Sequence, residues 1–204
     1  ADEHGLSQWA RAKALGEQAV RAEAPGATIV RPADIFGPED RFLNTYARLY
    51  DMLPRVPLVE NGEARVQPLY VQDFAHALDR IVRSEDPDVM LGQTYELAGP
   101  EVYTHREVVE YVFEAIQAEK PLVANISSQI ADVMGAAFGV LPSPLLTADK
   151  LRRWTTDVVL SDVSDAKRLH DLNIEATSME LPGFNWLHLF RTGSSTFEEL
   201  HAIQ

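Results

Sequence analysis

Along the first 120 positions the apolar residues recur at spacings that switch repeatedly between helical and extended periods. Positions 9–24 are rich in strong helix formers, Ala10 to Ala19 above all, and stop before Pro25-Gly26, which predicts a helix. Ala27-Thr28-Ile29-Val30 is a short β-branched run of the kind that forms a buried parallel strand. Arg31 to Asp40, punctuated by Pro32, Gly37 and Pro38, reads as a loop. Phe42 to Leu53 presents a wide apolar helical face that Pro54 and Pro57 end. Val66 to Val71 is strand-like, although Pro68 makes it an irregular or edge strand. Asp73 is placed to cap a helix whose apolar face is Phe74, Leu78, Ile81 and Val82. Thr94 to Ala98 is a further short strand. Thr104 and Glu107 form a capping box ahead of a helix with Val108, Val109, Val112, Phe113 and Ile116 on one face. Helices and strands in alternation predict an α/β fold.

Past residue 120 the pattern changes. Positions 121–148 hold one charged residue, Asp132. Ile126, Ile130, Val133, Met134, Ala137 and Phe138 make an apolar helical stripe interrupted by Gly135, Gly139, Pro142 and Pro144. Two readings fit: a buried helix and loop, or a surface that faces a membrane or partner subunit. The absence of Lys and Arg within the stretch weakens attachment to lipid headgroups. Residues 149–204 read as a C-terminal appendage. Lys150, Arg152 and Arg153 adjoin Trp154, and Asn185 to Arg191 is an aromatic stretch expected to pack on a neighbour rather than bind a ligand. The expected division is therefore residues 1–120, an α/β unit, and 121–204, a helical or irregular appendage.

Composition narrows the chemistry. With 204 residues, 46% apolar and 24% charged, the chain is an ordinary globular one. A net charge of −13 opposes broad contact with a phosphate backbone, so no nucleic-acid partner is expected. No cysteine is present, which excludes disulfides, thiol catalysis and thiolate metal sites; an intracellular or organellar matrix compartment fits. No apolar run reaches eighteen residues, the length a bilayer crossing requires. The start, Ala1-Asp2-Glu3-His4-Gly5, is acidic, lacks transit character and lacks an initiator Met, as expected of a processed chain or part of a longer one. The six histidines show no metal-binding spacing, so no metal is expected. A G-x-S-x-G elbow, a G-x-G-x-x-G turn and a Walker sequence are all missing.

One constellation carries more. Trp9-Ala10-Arg11-Ala12-Lys13 is followed by Thr28-Ile29-Val30-Arg31-Pro32-Ala33-Asp34-Ile35-Phe36-Gly37-Pro38, then by Pro68-Leu69-Tyr70-Val71-Gln72-Asp73 and Gln93 to Gly99. In this order the blocks resemble the C-terminal half of the extended and atypical short-chain dehydrogenase/reductase family. There a helix carries Tyr-x-x-x-Lys and the next strand ends in Arg-Pro before a Tyr/Phe-Gly-Pro turn. Pro32 to Gly37 with Glu39 to Asn44, and segments near Leu146, Asp171 and Thr177, narrow the resemblance to the dehydrogenase-like accessory subunits of mitochondrial complex I.

The resemblance implies the C-terminal part of a Rossmann-like fold plus a smaller appendage. Lys13 matches the lysine that hydrogen-bonds the nicotinamide ribose, and Pro32, Ala33, Asp34 and Ile35 match the loop beside the nicotinamide ring. Trp9 stands where the family has its catalytic tyrosine. An indole offers an N–H donor that does not titrate and cannot act as acid/base, so no catalytic residue is expected. The Gly-rich pyrophosphate turn would precede this region, so NADPH would be shared with a polypeptide carrying the N-terminal half. The leading expectation is a non-catalytic accessory subunit, peripheral on the matrix side of the mitochondrial inner membrane, touching other complex I subunits or the membrane surface. The alternative is half of a split NAD(P)-dependent reductase or sugar-nucleotide epimerase.

Overall fold

A computed structural model describes residues 3, 5–161 and 165–191. Helix α1 (Gln8–Glu23) starts at Ser7, whose hydroxyl accepts from Ala10 N–H, and ends ahead of Pro25-Gly26 as its composition predicts. Strand β1 (Ile29–Pro32) begins two residues later than the apolar run suggested. The expected loop contains a further strand, β2 (Ile35–Phe36). Helix α2 (Leu43–Met52) and strand β3 (Val56–Val59) follow.

The expected strand over 66–71 is instead two, β4 (Arg65–Val66) and β5 (Leu69–Tyr70), because Pro68 has no N–H for a ladder. Helix α3 (Val71–Arg83) begins at once, and Asp73 lies inside its first turn rather than at its cap. The Asp73 carboxylate is drawn inward to accept from the Thr177 N–H (2.7 Å) and hydroxyl (3.1 Å). The buried face of α3 is therefore Asp73, Ala77 and Ile81, while Leu78 and Val82 of the expected face point outward.

The short helix α4 (Pro87–Met90), strands β6 (Thr94–Leu97) and β7 (Tyr103–Thr104), and helix α5 (His105–Ala115) complete the first 120 residues. The capping box of Thr104 and Glu107 is present, and Val108, Val109, Val112, Phe113 and Ile116 are all buried. Beyond it lie β8 (Val123–Ile126), α6 (Ser128–Phe138), α7 (Ala148–Arg153) and α8 (Glu180–Leu187).

Among the described residues the strands form four pairs: parallel β1–β6, β2–β5 and β3–β8, and antiparallel β4–β7. Two cores result. The larger joins α2, β3 and α5 to Ala131, Leu146, Leu151, Trp154, Met179, Trp186 and Leu187. The smaller joins Leu69, Ala77, Ile81, Tyr95 and Leu97 to Leu169 and Leu172. Both cross position 120. Trp154 and Trp186, expected on an outward aromatic surface, are buried in the chain's own core. In α6, Ala131 and Gly135 are buried while Ile130 and Val133 are exposed, so the apolar stripe divides between core and surface. No described helix is long and apolar enough to cross a membrane. His4, His201 and the last residues of the aromatic tail's expected appendage, 192–204, lie outside the described residues.

Candidate functional site

Trp9 and Lys13 lie four residues apart on α1 and therefore on one face of it. The Lys13 Nζ sits 5.7 Å from the centre of the Trp9 ring. Lys13 is exposed and has no carboxylate within ion-pair distance among the described residues. It is free to donate to a ligand hydroxyl.

The stretch Pro32-Ala33-Asp34-Ile35 links β1 to β2 and is held at two backbone points. Ala33 N–H donates to Leu97 O (2.8 Å), and Asp34 O accepts from Leu69 N–H (2.9 Å). Those two bonds tie the stretch to β6 and β5. The strand's own arginine is engaged as well. Arg31 makes a two-pronged bond to Glu17 of α1 (2.9 and 2.7 Å) and a third to Glu96 of β6 (3.0 Å). The Arg31 guanidinium in turn holds the Glu17 carboxyl below the usual range.

The Asp34 side chain meets a residue from far along the chain. Arg153 Nη2 donates to Asp34 Oδ1 at 2.8 Å, with both side chains mostly shielded from solvent. The same guanidinium lies 4.1 Å from the centre of the Trp9 ring, in van der Waals contact with its face. Such a cation–π contact contributes on the order of 1 kcal/mol. Trp9 nonetheless keeps 47% of its surface exposed.

Arg153 is delivered by α7, whose consecutive residues each bind a different element. Asp149 accepts from the Gln8 and Trp9 N–H groups (2.5 and 3.2 Å), placing a carboxylate on the electropositive start of α1. Lys150 donates to Thr45 Oγ1 (2.8 Å) and Arg41 O (3.3 Å) at the start of α2. Burial, with Arg153 nearby, pushes its pKa down to about 8. Leu151 is buried in the larger core, and Arg152 pairs with Asp132 of α6 at 2.8 Å.

Behind this helix the Tyr46 hydroxyl and His105 Nδ1 share a buried hydrogen bond of 2.6 Å, packed against Phe42 and Trp154. Burial lowers the His105 pKa to about 4 and raises that of Tyr46, so both rings are neutral near pH 7. The Asp40 carboxylate accepts from Gly37, Phe42 and Asn44 N–H, fixing the turn into α2. Burial raises its pKa against the pull of those amides.

Lys13 and Asp34 thus converge through Trp9 and Arg153, whereas Pro32, Ala33 and Ile35 serve mainly as framework. Sequence reasoning passed over Asp149, Lys150 and Arg153 as site residues. The available signal was a cluster of three basic residues beside a tryptophan in an acidic chain.

Comparison with known proteins shows the family and the fold. The RmlD substrate binding domain matches residues 2–137. The chain is 34% identical over 200 residues to the mitochondrial NADH dehydrogenase (ubiquinone) 1 alpha subcomplex subunit 9 of Arabidopsis thaliana, covering 94% of this chain and 48% of that one. The subunit of the same name from Mus musculus is 38% identical over 193 residues, 91% of this chain and 48% of that one. The chain spans about half the length of the curated relatives it matches. A dTDP-glucose 4,6-dehydratase from Bacillus anthracis, solved in complex with NAD, superposes with a TM-score of 0.56 at 13% identity, over 94% of this chain and 53% of that one. At that identity the likeness is one of fold, and it supports the α/β architecture. Matched over most of its length, the chain belongs to the RmlD substrate binding domain family.

Proposed function

We propose that the chain is the C-terminal half of a catalytically silent, dinucleotide-holding accessory subunit of mitochondrial complex I, peripheral on the matrix side. The carrying observation is position 9. An indole stands there with a guanidinium on its face, and neither group can give up a proton near neutral pH. The names of the relatives supply the assembly and the organelle.

The residues present suit one end of NADPH. Lys13 has free donors for ribose hydroxyls, and the Pro32–Ile35 segment is framed to lie beside a planar ring. When bound, the nicotinamide supplies a hydride; at position 9 the chain has no acid to protonate an acceptor oxygen. The phosphate end has no Gly-rich turn in this sequence, so a polypeptide with the N-terminal half would provide it. Among the described residues β1 pairs with β6 alone, and α1 exposes Leu15 and Val20, as suits elements that meet such a partner. Outward-facing Ile130 and Val133 suit contact with another subunit or a membrane surface.

Native electrophoresis followed by mass spectrometry tests the reading. Co-migration with respiratory subunits, without NADPH oxidation by added carbonyl compounds, is the expected result. A free pool of small homodimers with reductase or sugar-nucleotide epimerase turnover would overturn it.

A further inference from the structure

We propose that Arg153 is a positioning residue for the ring end of the dinucleotide site, so that α7 governs ring affinity from outside the nucleotide-binding elements. The inference rests on the assignment of Lys13 and the Pro32–Ile35 loop to that end.

Three observations converge on it. First, the loop backbone is pinned at Ala33 and Asp34, and among the described residues the Asp34 carboxylate has one hydrogen-bond partner, Arg153. A mostly shielded carboxylate deprived of its cation is left uncompensated, which destabilises the loop conformation that holds it there. Second, the same guanidinium lies on Trp9, one helical turn from Lys13 on the same face of α1. Arg153 therefore adds a second link, beside the Arg31–Glu17 pair, between the helix of the ribose donor and the ring loop. Third, α7 holds Arg153 in place through neighbours with other tasks. Asp149 is fixed to the start of α1, Lys150 to the start of α2, and Leu151 in the core. The planar guanidinium suits this place because it stacks on a ring face while donating in its own plane; an ammonium can do only the second.

The test compares NADPH with ADP-ribose 2′-phosphate, which lacks the nicotinamide ring, on the wild type and Arg153→Ala purified in native assembly. Arg153→Ala is expected to weaken NADPH at least tenfold while leaving the ring-free ligand within twofold. Arg153→Lys, which keeps the charge for Asp34, is expected to recover part of the loss. Adding Asp34→Asn to Arg153→Ala is expected to cost little more, since both remove one link. Wild-type protein that binds NADPH together with an Arg153→Ala variant that binds it equally well overturns the inference alone. Parallel weakening of both ligands overturns it too, because Arg153 would then be general scaffolding. Wild-type protein that binds NADPH no better than the ring-free ligand overturns the ring-site reading itself, and the inference with it.

Discussion

Gly135 gives the sharpest check on how α7 is held. A Cβ added there would fall 2.3 Å from Ala148 N, 2.4 Å from Ala148 Cα and 2.7 Å from Thr147 C. All three are backbone atoms, so no change of rotamer relieves the overlap. Helix propensity alone makes Gly→Ala within a helix stabilising by about 1 kcal/mol. Overpacking of this kind costs about 1–3 kcal/mol, and here the obstacle is rigid. With the cost at the upper end of that range against a rigid backbone, the second effect wins and leaves Gly135→Ala destabilised by roughly 2 kcal/mol. At about 2–4 °C per kcal/mol for a chain of this size, the melting midpoint should fall by about 4–8 °C. Gly16, in the middle of α1, has no atom within 4 Å of its added Cβ and serves as the control. Gly16→Ala should raise the midpoint by about 2–4 °C. The two variants are melted beside the wild type by circular dichroism. A Gly135→Ala protein melting at or above the wild type would refute the backbone-tight contact between α6 and α7.

Further outcomes follow from the same geometry. Asp149→Ala removes the acceptor for the Gln8 and Trp9 amides and should cost about 1–2 kcal/mol. Hydrogen exchange at those two amides should accelerate about tenfold or more; unchanged exchange would show that α1 is held by other means. His105 has a folded pKa near 4, below its ordinary 6.5, so between those values the unfolded chain binds the extra proton. Its contribution is complete above pH 6.5 and is lost as the pH falls toward 4, by up to roughly 3 kcal/mol. Denaturant titrations at pH 7 and pH 4.5 should show a smaller acid-induced drop in His105→Gln than in the wild type. Equal drops would mean that His105 titrates in the fold as it does in water.

Local signals gave α1, α2 and the Thr104–Glu107 capping box, because each is written in a single stretch of sequence. The resemblance to short-chain dehydrogenases marked Lys13 and Trp9, which the structure places on one face of α1. Contacts between distant positions were not legible. Asp149 reaches Gln8 across 141 residues and Arg153 reaches Asp34 across 119. Asp73 shows the cost of local reasoning: capping chemistry is satisfied within one turn, but its carboxylate serves Thr177 instead. That pull turns α3 so that Ala77 rather than Leu78 faces the core. Aromatic content in 149–191 marked a packing surface correctly but could not show that the surface was the chain's own. Trp154 is buried against Tyr46 and His105, residues from two other helices.

Helix α1 buries only Ala14 among its sixteen residues. Among the described residues its ties to the rest of the chain include a carboxylate at its first amides, a guanidinium on Trp9, Glu17 on Arg31 and Arg21 on Thr94. Every one of them is electrostatic or polar. Raising ionic strength from 0.1 to 1 M shortens the screening length from about 10 Å to about 3 Å. That change weakens these ties and leaves the two apolar cores intact. The helix bearing Lys13 is thus a leaf fastened by charge to a block fastened by burial, and salt loosens the leaf before heat disturbs the block.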